Sequence, residues 1–340
     1  MSTFRGYLSM AKLEPGMSGL RDYLSLAKPG IILGNLVAVA GGIFLGSRGQ
    51  VNWGIFLATL AGMGLVIGGG CALNNYIDRD IDALMRRTRN RPLVQNRIPA
   101  GAAVILGLLL AAGGLAMLAL YANPLAAGIA FGGFLIYVVL YSLWLKRSRH
   151  GTWVGSLAGA VPPLSGYCAA SGHLDAAGLI LFAIYAVWQF PHAYAIAILH
   201  LQDYARASIP VLPVVRGVGR VKRNMPLYVA AFTLCSLLLF FTHNTGWGYL
   251  VVLLLLGLAW MRSAWRDRKG DDRLWAKKSF GYSIVAVMAL SLMMSVDFVI
   301  PKPDAVVSST AISPSPASYN AALGATLEQF RELLSHLTPV

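Results

Sequence analysis

Nine long apolar stretches constrain this chain more than any other feature. They fall at about 31–47, 53–73, 101–121, 124–145, 152–171, 177–199, 226–242, 247–265 and 280–300. A helix needs roughly 20 mostly apolar residues to cross a bilayer. Nine such helices use roughly 180 residues, leaving no room for a large soluble domain. A soluble fold has about 25% charged residues, whereas this 340-residue chain has 12%, with 56% hydrophobic residues. The expected fold is all-α: a polytopic membrane bundle of nine transmembrane helices. Residues 1–29 read as a cytoplasmic N-terminal segment and 30–300 as the membrane domain. Residues 301–318 read as a Ser/Pro/Ala-rich linker. Beyond it, Leu323, Leu327, Phe330, Leu334 and Leu337 mark one face of a short amphipathic helix on the outer side.

The net charge of +14 raises the question of nucleic acid, and the placement of the charges answers it. Twenty-five of the 28 Lys and Arg fall in the N-terminal segment and alternate loops; only Arg48, Lys302 and Arg331 fall on the other side. The positive-inside rule puts the rich side in the cytoplasm. The N-terminus is then cytoplasmic and the C-terminus on the opposite, periplasmic side. The excess is a topology signal, so no nucleic-acid partner is expected. The lipid bilayer is the implied surroundings. The three cysteines sit in apolar or Gly-rich stretches with no CxxC pair, and they read as small hydrophobes. Glycines within the spans suit tight helix packing, and the Gly68–Gly70 run serves that or a bend near a site.

Chemistry concentrates in two cytoplasmic stretches. The first reads NNYIDRDIDALMRRTRNRPLV and continues the second span. Asn74, Asp78 and Asp82 are four residues apart, so on a helix they share a face while Asp80 points away. Two carboxylates and a carboxamide at a membrane border offer oxygens to Mg2+, which takes the rest from water and phosphate. Arg86, Arg87, Arg89 and Arg91 follow, and the arginine fork suits phosphate oxygens. The residues themselves leave two readings open: a metal–diphosphate site, or a solvated loop whose acids balance its arginines. The second stretch holds His192 inside the sixth span, then His200, Asp203 and Tyr204 at its end. Two acidic loops can close on one diphosphate from two sides. No phosphate loop, G-x-S-x-G elbow, HExxH or zinc spacing is present.

These residues resemble the UbiA-type intramembrane prenyltransferases. The superfamily pattern N-x-x-x-D-x-x-x-D matches Asn74, Asp78 and Asp82. The continuation M-x-R-T-x-x-R-P, on Met85, Arg87, Thr88, Arg91 and Pro92, resembles the haem-specific branch. So do LAKPG at 26–30, GSLAGAVPPLSGY at 155–167, the stretch at 191–215 and MSVDF at 294–298. The resemblance runs from about residue 22 to 300; the tail is longer than the family leads one to expect. Many superfamily members carry a second aspartate-rich motif on helix 6, where this chain has His192, His200 and the single Asp203.

The resemblance implies transfer of farnesyl from farnesyl diphosphate to a vinyl group of haem B. The products are haem O, for haem–copper terminal oxidases, and diphosphate. It assigns catalysis to Asp78, Asp82, Asp203 and Tyr204, and diphosphate binding to Asn74, Arg87, Arg91 and Lys146. Mg2+ falls to Asn74, Asp78 and Asp82. His192 and His200 are candidates for contact with haem, and Tyr76, Tyr137, Tyr141, Trp188 and Tyr194 for a dry prenyl pocket. A haem A synthase or terminal oxidase subunit is the protein partner it suggests. The rivals are a prenyltransferase with an aromatic or quinone-precursor acceptor, and a membrane carrier of haem or cations.

Overall fold

The computed structural model describes residues 18–299; the linker and amphipathic helix expected at 301–340 lie outside them. Among the described residues the structure is helical, with one isolated bridge between Thr245 and Phe298. A short helix α1 (Ser18–Leu26) precedes the bundle. The long helices are α2 (Pro29–Ser47), α3 (Trp53–Ile77), α5 (Ala100–Tyr121), α6 (Pro124–Leu135, running on as a π-helix over Ile136–Leu145), α7 (Gly151–Ser171), α8 (Ala176–Leu199), α11 (Val218–Phe241), α12 (Trp247–Arg266) and α13 (Asp272–Val296). Three short helices sit in the loops: α4 (Arg79–Leu84), α9 (Leu201–Arg206) and α10 (Leu212–Arg216).

Eight of these helices are long and apolar enough to cross a membrane. The exception is α7, expected as a span at 152–171. It is a 21-residue helix, but its Gly, Ser and two internal prolines dilute its apolar character. The reason lies in its surroundings. α7 packs against α2, α6 and α8, and Ala160–Ala169 is an unbroken buried run. A helix enclosed by protein does not need a lipid-facing stripe. Outward-facing leucines elsewhere do: Leu120 is 77% and Leu258 68% exposed. An exposed apolar shell of this kind belongs in hydrocarbon.

Two helices run further than the apolar stretches implied. α11 begins at Val218 and α13 at Asp272, each with charged turns ahead of its apolar part. Hydropathy marks only the length in lipid. The protruding turns are joined by buried Lys222, whose Nζ lies 2.5 Å from Asp272 Oδ1 and 2.8 Å from the Gly270 carbonyl. On the opposite side, Asn52, Asn123 and Asp175 cap α3, α6 and α8 by accepting from backbone N–H groups.

The Gly68–Gly70 run lies within α3, which is helical throughout it. Its role is contact. A Cβ on Gly69 would lie 2.5 Å from the Gly107 carbonyl oxygen of α5, and one on Gly70 would lie 3.1 Å from the Tyr137 ring. Missing side chains let α3 and α5 touch backbone to backbone, the way helices associate in lipid. This contact fixes the end of α3, where the polar residues begin.

Candidate active site

A cavity of about 1130 Å³ lies inside the bundle. Its walls are largely apolar, and its polar end is formed where α3 passes into α4. α3 stops at Ile77 and α4 starts at Arg79, with Asp78 as the joint. Asn74, Asp78 and Asp82 all line the cavity and are at most 4% exposed. Asp80 points to solvent and pairs with Arg79, as the helical spacing requires.

Asn74 is the hub of this end. Its Nδ2 donates to Asp78 Oδ2 at 2.8 Å and to Ser142 Oγ at 3.0 Å, and its Oδ1 accepts from Lys28 Nζ at 2.7 Å. Both ends of the carboxamide are therefore engaged. In this arrangement Asn74 orients Asp78, and its Oδ1 keeps a second lone pair. Lys146 pairs with Asp78 Oδ2, and Arg91 with Asp82 Oδ2. Asp78 Oδ1 is buried with no hydrogen-bond partner. A buried acceptor left unsatisfied is costly unless something binds it. Among the described residues no three His, Cys, Asp or Glu converge on a point. A cation here has two carboxylates and must take other oxygens from substrate and water, which suits Mg2+.

The four basic residues come from three separate segments. Arg87 and Arg91 lie in the turns after α4, Lys146 ends the π-helix of α6, and Lys28 precedes α2. Lys28 stands in the sequence as a topology charge and as part of the LAKPG stretch, with no role of its own assigned. It has a left-handed backbone (φ 53°) just before Pro29, a conformation that costs energy for a side-chain-bearing residue and clusters at functional sites. Burial lowers its pKa to about 8, and nearby Arg91 and Lys146 push the same way. Ser142 and Thr88, also inside the site, carried no sequence signal beyond the motif.

The π-helix decides what α6 shows to the cavity. Its hydrogen bonds reach five residues back, as from Lys146 N to the Tyr141 carbonyl at 2.8 Å. Tyr137, Tyr141 and Lys146 all line the cavity, and the two rings stack at 5.9 Å. Trp188 and Tyr194 line it as well. Tyr76 does not: it is 36% exposed and lies under Arg79. The chain leaves α3's cavity-facing side at that residue.

The second polar stretch divides. Tyr204 lines the cavity and accepts from Arg87 Nη2 at 3.2 Å. Asp203 does not line it. Its Oδ1 accepts from the Arg86 backbone N–H at 2.9 Å. Burial disfavours its charge, but the Arg86 and Arg87 backbone N–H groups and the Arg87 guanidinium outweigh that and hold the carboxyl below its ordinary range. Asp203 thus clamps the loop that presents Arg87. Ile81, Met85, Ala207 and Ile209 form a small apolar core beneath this clamp. His200 caps α8 outside the cavity wall, its pKa lowered by burial and by Arg87. His192 is on the wall, stacked at 4.5 Å on Trp188.

An apolar chamber within a helical bundle, closed at one end by two carboxylates and four basic side chains, defines an intramembrane enzyme of isoprenoid diphosphates. The chain belongs to the UbiA prenyltransferase family, whose model matches residues 35–290. A Citrobacter koseri protein named Protoheme IX farnesyltransferase is 48% identical over 283 residues, 83% of this chain and 96% of that protein. An Escherichia coli protein of the same name matches to the same extent. The fold is shared with a UbiA homolog from Archaeoglobus fulgidus bound to DMAPP and Mg2+ (TM-score 0.61, 19% identity, 81% of this chain and 99% of that one). A digeranylgeranylglyceryl phosphate synthase is similar too (TM-score 0.67, 19% identity, 82% and 99%).

Proposed function

We propose that the protein transfers the farnesyl group of farnesyl diphosphate to a vinyl group of haem B in a bacterial inner membrane. The observation that carries this reading is the convergence of Asp78, Asp82, Lys28, Arg87, Arg91 and Lys146 on the polar end of one apolar cavity. The 48% identity to proteins named for this reaction supports the choice of acceptor. Lys146, Arg91 and Lys28 donate to Asp78, Asp82 and Asn74, and with Arg87 they line the cavity, a donor set that suits a diphosphate.

The chemistry begins with the allylic C–O bond. Diphosphate leaves with the bonding electrons, and the farnesyl carbon is left as an allylic cation. The vinyl π-electrons of haem B form the new C–C bond, water adds to the resulting cation, and one proton is released. The product carries a hydroxyethylfarnesyl chain. Arg87, Arg91, Lys28 and Lys146 stabilise the negative charge that grows on the leaving oxygens, already fixed in place before the bond breaks. Asp78 and Asp82 would hold Mg2+, which would supply further neutralisation of the leaving group's charge. Tyr137 and Tyr141 present ring faces where the cation forms, and the apolar wall keeps water from capturing it early. Tyr204 holds the Arg87 guanidinium in position.

The nine long helices fit nine crossings with the N-terminus in the cytoplasm, which puts Asp78 and Asp82 near that face. Membranes carrying the protein, given haem B, farnesyl diphosphate and Mg2+, are expected to yield haem O by chromatography with equimolar diphosphate. Alkylation of an aromatic acceptor with no haem O would overturn the choice of haem. Transport of haem without diphosphate release would overturn the enzyme reading.

A further inference from the structure

The cavity wall carries an imidazole that the diphosphate end does not use. His192 lies in α8, seven residues before the helix ends at Leu199, about 10 Å of helix rise inward. Its Nδ1 is 2.9 Å from Ser283 Oγ on α13. The Ser283 hydroxyl already donates its proton to the Phe280 carbonyl at 2.6 Å. A hydroxyl has one proton to give, so Ser283 accepts from the ring. Nδ1 therefore carries the imidazole proton, and Nε2 keeps its lone pair.

That lone pair is unclaimed. Nε2 makes no hydrogen bond within the described residues, and His192 lines the cavity. The ring cannot easily turn away. It is stacked on Trp188 at 4.5 Å and against Phe280 at 5.1 Å. The Trp188 indole is itself pinned by donating to the Ser283 carbonyl at 2.8 Å. A histidine serving only to join α8 to α13 would need Nδ1 alone. A neutral imidazole, with one nitrogen donating to a fixed acceptor and the other bare toward a chamber, is how metal-ligating histidines are held.

We infer that His192 Nε2 is an axial ligand to the iron of the porphyrin acceptor, with Ser283 as the residue that sets its tautomer. The inference rests on haem as the acceptor. It distinguishes the two histidines of this helix, since His200 stands outside the cavity wall. Ligation anchors the porphyrin at its centre, and the rest of the wall then selects which vinyl edge meets the farnesyl carbon.

The test uses purified full-length protein titrated with haem B and followed by absorption and electron paramagnetic resonance. Wild type and His200→Ala should show the same histidine-ligated spectrum. His192→Ala should lose it, bind haem more weakly, and regain the spectrum on addition of imidazole, which a misfolded protein would not do. Ser283→Ala should weaken haem binding about 10–100-fold, as loss of a ligand's orienting partner does. A wild-type spectrum and affinity in His192→Ala overturns the inference, as does a wild-type protein that leaves the spectrum of free haem unchanged. If His192→Ala keeps the spectrum while wild type makes haem O, only the ligation fails. If ligation depends on His192 but no haem O forms, the ligation stands and the farnesyl-transfer reading fails.

Discussion

Replacing Asp78 by Asn tests the diphosphate end most directly, because shape is kept and charge is removed. Asp78 is 1% exposed; its Oδ2 accepts from Asn74 and Lys146, and its Oδ1 has no partner. An amide oxygen at the Oδ2 position can still accept both bonds. The new NH2 then sits where Oδ1 was, a buried donor without an acceptor, costing about 1–3 kcal/mol. The fold should survive that. The site should not: one carboxylate would remain among Lys28, Arg87, Arg91 and Lys146. Removing one element of preorganised charge stabilisation lowers kcat on the order of 10²–10³-fold, about 3–4 kcal/mol. Binding should move the other way. With a larger surplus of positive charge, farnesyl diphosphate should bind Asp78→Asn without Mg2+ at least as well as wild type. The assay is haem O and diphosphate release in detergent across an Mg2+ titration, with thermal unfolding as the control. Turnover within a few-fold of wild type and an unchanged Mg2+ dependence would refute the reasoning.

Other outcomes follow from named contacts. Gly69→Val should lower stability by about 1–3 kcal/mol, because its Cβ meets the Gly107 carbonyl at 2.5 Å and backbone cannot yield as a side chain does; thermal unfolding in detergent measures it. The Asp203 carboxyl lies below its ordinary pKa in the folded protein, so its contribution is present above about pH 4, the unfolded value, and drains as pH falls through the folded one. Asp203→Asn should therefore unfold a few degrees below wild type at pH 7, with the gap closing toward pH 3. Tyr137→Leu should slow turnover by about 1–2 kcal/mol if its ring faces the allylic cation; Tyr76→Leu, off the cavity, should leave haem O formation unchanged.

The residues that the sequence exposed are those whose chemistry conflicts with their surroundings. Asp78, Asp82, Arg87 and Arg91 stand out because charge is scarce in this chain, and the structure places all four on the cavity. The helices were legible for the same reason, except where they leave lipid at Val218–Lys222 and Asp272–Lys278. Three things were hidden. Lys28 looks like a topology charge, since nothing local tells a lysine that marks a loop from one that turns inward; Lys146 enters the site only through the family resemblance. Asp203 reads in the sequence as a catalytic acid, and the bond its Oδ1 accepts from the Arg86 backbone N–H has no signature there. The π-helix over Ile136–Leu145 leaves no mark in hydropathy, yet it determines that Tyr137, Tyr141 and Lys146 share the cavity. Tertiary partners decide all three, and one chain read in order does not display them.

The Asn74 hub also constrains how the protein can be made. Lys28 leaves the ribosome 46 residues ahead of Asn74, while Lys146 follows Asp78 by 68. When the second span enters the membrane, its buried acid has no partner of its own except what Lys28 lends through Asn74. Full compensation waits until the fourth span has arrived. Loss of Lys28 should then be felt first during biogenesis, as slowed insertion or increased quality-control degradation of nascent chains, before any effect on catalysis can be measured.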